Sequence, residues 1–191
     1  MNCRAGLVWA TPQHFNRFIE DCGIFCELVT PHMLAAPFFR GNFNCLIIPT
    51  GFANPAYSNL LPALRASSPR MKRFVESGGG LLVFGASVNR SDSYDWLPFD
   101  VKYSHNCGPR AVECLTDSDT SSIIDDYDTQ GIECDGYFPS HDGDCIGIAG
   151  TASVLIEKKI GLGRIVVTSI HEFPSRTFLK KFCCSGVSPI F

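Results

Sequence analysis

Apolar and polar positions in this chain alternate in one manner up to about residue 87 and in another beyond it. In the first half, short apolar runs are separated by amphipathic stretches. Ala5 to Trp9 is an apolar run of strand length. Thr11-Pro12 has the form of an N-cap followed by proline at the first helical position. Phe15, Phe18, Ile19 and Cys22 then recur at helical spacing, which predicts a helix with that face inward and Gly23 as its end. Ile24 to Val29 reads as a second strand, and Pro31 opens a short helix ending near Arg40-Gly41. Asn44 to Pro49 is a third strand, apolar at its centre, with the loop Thr50-Gly51-Phe52-Ala53-Asn54-Pro55 at its carboxyl end. Helical segments follow around Ser58 to Leu64 and Pro69 to Glu76. Gly78-Gly79-Gly80 supplies the left-handed conformations that stop a helix. Leu81 to Phe84, apolar on both faces, suits a central strand of a parallel sheet. The turn Gly85-Ala86-Ser87 then falls at a carboxyl strand end, where open α/β folds place ligands.

The second half reads as strands joined by turns: Asp100 to Tyr103, Ala111 to Leu115, Ile132 to Phe138, Cys145 to Ala149, Val154 to Lys159 and Arg164 to Ser169. Lys159 to Arg164 carries a hairpin turn, Ser118 to Tyr127 one short helix, and Pro174 to Cys184 a closing helix with Phe178, Leu179 and Phe182 inward. No repeat, low-complexity segment or linker interrupts the chain, so residues 1–191 are expected to form a single domain. The predicted class is α/β: a doubly wound, mainly parallel flavodoxin-like sheet with added antiparallel strands in the C-terminal half.

Composition narrows the functional classes. The formal net charge of −3 gives no electrostatic footprint for nucleic acid. No apolar run approaches the roughly 18 residues that span a bilayer. The start of the chain, Met1 to Val8, is too short in its apolar part for a signal peptide and favours a cytoplasmic location. Ten cysteines are many for that compartment: Cys3, Cys22, Cys26, Cys45, Cys107, Cys114, Cys134, Cys145, Cys183 and Cys184. None form a CxxC pair, which argues against a zinc ribbon or an iron–sulfur cluster. Most are expected to be reduced, structural and buried, with disulfides or a site assembled in space as the alternative. No cofactor or metal is implied, and a homo-oligomer is compatible with the composition.

Four pieces of the chain together resemble the class I glutamine amidotransferase-like superfamily, in particular its trehalose-utilisation (ThuA-like) branch. They are Leu46-Ile47-Ile48-Pro49-Thr50-Gly51, the stretch Phe74 to Ala86, the hairpin Val154 to Val167, and Ser169-Ile170-His171-Glu172. The resemblance implies a pocket built from Thr50, Gly51 and Phe52, from Gly85, Ala86 and Ser87, and from His171 and Glu172. It also marks a departure. Active amidotransferases carry a cysteine on a sharp strand-to-helix elbow, and the pattern puts Gly85 at that position. His171 and Glu172 are adjacent, whereas those enzymes space their histidine and glutamate by one residue. Cys45 and Cys107, the nearest cysteines in sequence, are not obvious substitutes. The expectation is a pseudoenzyme that binds a small polar metabolite or sugar, or acts as an assembly module.

A second class stays open. Gly85-Ala86-Ser87-Val88-Asn89 resembles the hydrolase elbow Gly-x-Ser-x-Gly with its last glycine replaced. With His171 downstream and Asp142 or Asp144 between, a serine-dependent hydrolase using Ser87 and His171 is available in chain order. Against it stands a Ser87 that merely caps the following segment. His141-Asp142-Gly143-Asp144 has tightly spaced metal-ligand types but lacks the remaining positions of a calcium loop, so a solvated turn is expected. Phe52, Tyr57, Trp96 and Phe99 suit either core or pocket wall. A third possibility is that the surface, rather than the cleft, carries the role.

Overall fold

The apolar runs of the first half form four parallel strands, β1 (Arg4–Val8), β2 (Phe25–Val29), β3 (Cys45–Ile48) and β4 (Gly80–Val83), in the computed structural model, which describes residues 3–171, 173–184 and 187–191. Every residue of β3 and β4 is buried, as continuous apolar runs require. The second half supplies β5 (Val101–Arg110), β6 (Glu113–Cys114), β7 (Ile132–His141), β8 (Asp144–Ala149), β9 (Ala152–Ile160) and β10 (Gly163–Thr168). The sheet order is β2-β1-β3-β4-β10-β9-β7-β5, with β8 paired to β9 and β6. Pairing is parallel from β2 through β4 to β10. From β10 through β9 and β7 to β5 it is antiparallel. This is the doubly wound, mainly parallel architecture expected, with antiparallel strands in the C-terminal half.

Period-two alternation divides the core between the two faces of the sheet. Leu46, Ile48, Leu81 and Val83 face the side covered by α2 (Pro31–Ala35) and α3 (Leu60–Glu76). Cys45, Ile47 and Leu82 face the side covered by α1 (His14–Asp21) and α4 (Arg176–Cys184). Phe178, Leu179 and Phe182 of α4 are buried there, as their spacing predicts.

Several boundaries differ from the sequence reading, each for a physical reason. Helix α1 opens at Gln13 rather than Thr11-Pro12, because the Gln13 N–H donates to Asn16 Oδ1 at 2.7 Å and the Asn16 N–H to the Gln13 carbonyl at 3.1 Å. Helix α2 stops at Ala35, since Pro37 disfavours helical backbone at Ala36, which is extended at φ −69° and ψ 121°. The two helical segments between Ser58 and Glu76 are one helix running through Pro69. Burial of Leu60, Leu64, Met71, Phe74 and Val75 along one face outweighs the roughly 3 kcal/mol cost of an interior proline. The helix expected between Ser118 and Tyr127 is a single tight turn at Ser121–Ile124.

Cys22, Cys26, Cys45, Cys134 and Cys183 are buried. Cys3 and Cys184 are bonded to each other across 181 positions, tying the chain ahead of β1 to the end of α4.

Candidate functional site

Parallel strands release their carboxyl-end loops on one rim, so the turns after β3, β4 and β10 are brought together. The Gly51 N–H donates to the Gly85 carbonyl at 2.8 Å, and the Asn54 side-chain amide donates to the Ser87 carbonyl at 2.8 Å. Gly51 has φ +84°, and a Cβ there would also press on the Tyr57 ring, so both backbone and space call for glycine. The turn after β10 is held by β7: the Asp135 N–H donates to the Ser169 carbonyl at 2.7 Å and the His171 N–H to the Glu133 carbonyl at 2.8 Å.

Asp135 is the residue that joins these turns, and nothing in the sequence reading singled it out. It is 4% exposed. Its Oδ1 lies 3.0 Å from Nδ1 of His171, whose side chain is 60% exposed. Its Oδ2 is buried and has no hydrogen-bond partner among the described residues. A Cβ added to Gly85 would lie 2.7 Å from that oxygen and 2.8 Å from the Asp135 Cβ. The carboxylate therefore fills the space that a side chain at residue 85 would need. Thr50, next to Gly51, likewise has a buried hydroxyl with no partner among the described residues.

Two tyrosines brace the elbow from below. Tyr94 OH donates to the Phe84 carbonyl at 2.9 Å, and Tyr103 OH donates to the Asp135 carbonyl at 3.0 Å. Burial pushes both phenols well above their usual range, the Asp135 charge adds to this, and the backbone of Ala86 and Ser87 respectively opposes it. His105 and Cys107 of β5 stand at the same place, with the Cys107 Sγ 3.7 Å from His105 Nε2 and 3.7 Å from the Asp135 carbonyl. Burial, and then the charges of Asp135 and Glu133, push the Cys107 thiol up, which disfavours the thiolate a nucleophile needs.

The remaining residues expected in the pocket fall as follows. Ser87 has φ +50°, the one non-glycine residue with positive φ among those described. No hydrogen bond joins its Oγ to an imidazole among the described residues, and residues 91–96 form turns where the resembled enzymes carry a helix. Phe52 and Ala86 are fully buried. Phe52 meets Tyr94 and Trp96 edge to face at 5.3 and 5.9 Å, so it supports its loop from within the core. Glu172 lies outside the described residues. No group of three or more metal-ligating side chains is gathered among the described residues.

Beside this rim, a cavity of about 890 Å³ opens between the loops that follow β1, β2 and β3, with Ala10, Thr30, His32, Tyr57 and Asn59 on its wall. Strand β1 lies between β2 and β3, so the chain reverses its direction of travel across the sheet at this point, the switch point where open α/β sheets hold ligands.

No family model matches the chain, and no curated protein matches it by sequence. Solved structures do share its fold. One, described as part of a putative GMP synthase from Thermoplasma acidophilum, aligns with TM-score 0.65 and 12% identity over 96% of this chain and 94% of its own. A cytoplasmic protein from Salmonella typhimurium aligns with TM-score 0.55 and 11% identity over 96% of this chain and 99% of its own. Part of a β-galactosidase from Bacillus circulans sp. alkalophilus aligns with TM-score 0.54 and 12% identity, covering 94% of this chain but 30% of the enzyme.

Proposed function

We propose that residues 1–191 act as one cytoplasmic domain of the glutamine amidotransferase-like kind, related to the ThuA-like branch, which has lost thiol catalysis and binds a small hydroxylated metabolite or sugar. The observation that carries this reading is the pair of orphaned buried polar atoms at the rim, Asp135 Oδ2 and Thr50 Oγ1. Buried polar groups are nearly always partnered, and a carboxylate oxygen accepts only. The ligand it calls for is a hydrogen-bond donor, as a sugar hydroxyl is. Crowding of Gly85 by Asp135 supports the loss of a nucleophile at that position. The cavity with Tyr57, His32 and Asn59 on its wall offers an aromatic face and polar groups of the sort that sugars use. The fold's recurrence as part of a much longer β-galactosidase supports a binding or assembly role within larger proteins, and the likeness to a cytoplasmic protein supports the compartment.

Thermal unfolding with millimolar galactose, mannose or glutamine tests this. A rise in midpoint with a sugar, absent in Asp135→Ala, is the expected result, together with no ammonia release from glutamine. Ammonia release by the unmodified protein, lost in His171→Ala, would overturn it.

A second reading, a hydrolase using Ser87 and His171, is favoured by one observation: the positive φ of Ser87 is the backbone strain of a nucleophile elbow. Ester turnover lost in Ser87→Ala would establish it.

A further inference from the structure

We propose that Ser153 and His141 form a nucleophile and base that cleave small uncharged esters, at a site separate from the Gly85 rim. His141 ends β7 and Ser153 lies near the start of β9, and both line one cavity of about 420 Å³. The imidazole is fixed in one tautomer by its neighbours. Its Nδ1 lies 2.9 Å from the Gly143 carbonyl, which can only accept, so Nδ1 carries the proton. Nε2 is left with its lone pair and lies 3.0 Å from Ser153 Oγ, which therefore donates to it. The Cys145 Sγ, 3.2 Å from Ser153 Oγ and 3.7 Å from the Gly147 carbonyl, supplies a further donor to the serine oxygen or that carbonyl and leaves the hydroxyl proton directed at the imidazole. This is the arrangement of nucleophile, base and orienting group that activates a serine, with a backbone carbonyl as the orienting group. His141 belongs to the segment that the sequence reading took for a solvated turn, and the geometry gives that turn a task.

The cavity decides the substrate class. Tyr137, Pro139, Ser140 and Thr151 share its wall with the pair, and among the described residues no carboxylate, ammonium or guanidinium lines it. It suits a short neutral acyl group. In the reaction, Ser153 Oγ bonds to the ester carbonyl carbon while its proton passes to His141 Nε2. The bond to the alkoxy oxygen then breaks, and the leaving alcohol takes that proton. Water, deprotonated by the same nitrogen, hydrolyses the acyl-serine and releases the acid, with the proton returned to Ser153. The hydroxyls of Tyr137, Ser140 and Thr151 are side-chain donors among the residues of the cavity wall for the developing oxyanion.

Two measurements on the full chain test the proposal. The unmodified protein is incubated with a fluorophosphonate and the adduct located by peptide mass spectrometry, a readout that depends on no variant's folding. Hydrolysis of 4-nitrophenyl acetate is then followed in the unmodified protein and in Ser153→Ala and His141→Ala. An adduct on Ser153, and a loss of turnover of about 100-fold or more in either variant, is expected. An adduct on Ser87 or any other serine, no adduct, or unchanged turnover in Ser153→Ala overturns it.

Discussion

Replacing Gly85 by cysteine, the change that would restore the nucleophile of the resembled family, drives a Cβ into Asp135. We expect Gly85→Cys to lower stability by about 1–3 kcal/mol, the usual cost of overpacking, and to release no ammonia from glutamine. Adding Asp135→Gly relieves the collision and should recover most of the loss in urea titrations. Alkaline pH acts on other single residues. Burial raises the Cys26 thiol from 9.0 to about 11, so the folded state keeps its proton where the unfolded state loses it. Its contribution is full below pH 9, the unfolded value, and is lost as pH rises through about 11. Tyr94 adds to this in the same direction from pH 10 upward. The urea midpoint should therefore fall above pH 9, and less steeply in Cys26→Ala. At this scale the sequence shows part of the candidate rim. Gly85, Gly51 and His171 follow from their positions at carboxyl strand ends, whereas Asp135 arrives from an antiparallel strand whose neighbours in the sheet depend on the whole fold.

Among the elements, the β9–β10 hairpin shows how a turn is keyed to its surroundings. Gly161 and Gly150 each open a two-residue hairpin turn with similar backbone, φ +58° and +64°. A Cβ on Gly150 meets nothing within 4 Å, but one on Gly161 would lie 2.5 Å from the Glu76 carbonyl oxygen and 2.7 Å from the Glu76 Cα. Alanine at either position incurs the left-handed backbone cost of about 1–2 kcal/mol. Gly161→Ala should cost at least about 1 kcal/mol more than Gly150→Ala, because the backbone at the end of α3 cannot yield as a side-chain tip would. Chemical denaturation of the two variants side by side isolates the contact. The hairpin and the four parallel strands were legible because their apolar periods are unambiguous. Helix α3 was misread as two segments because Pro69 is a strong local signal that the buried face on either side of it overrides.

For the molecule as a whole, the sheet divides into a parallel half, which carries the rim, and an antiparallel half, which carries Asp135 and the His141–Ser153 pair. The division was visible in the change of hydrophobic pattern, but the insertion of β10 beside β4 was not, since parallel pairing with a distant strand leaves no local trace. Linking Cys3 to Cys184 removes loop entropy from the unfolded chain worth about 5 kcal/mol on a polymer model. The urea midpoint should drop on adding dithiothreitol, and Cys184→Ala should match the reduced protein. A chain folded in a reducing cytoplasm works without that support. The same bond has a mechanical side. A force applied to the two ends passes through sulfur and leaves nearly all of the sheet unloaded. In an optical trap the oxidised protein should show almost no unfolding extension, and admitting reductant should free the 181 positions between the cysteines at once, a lengthening of roughly 600 Å.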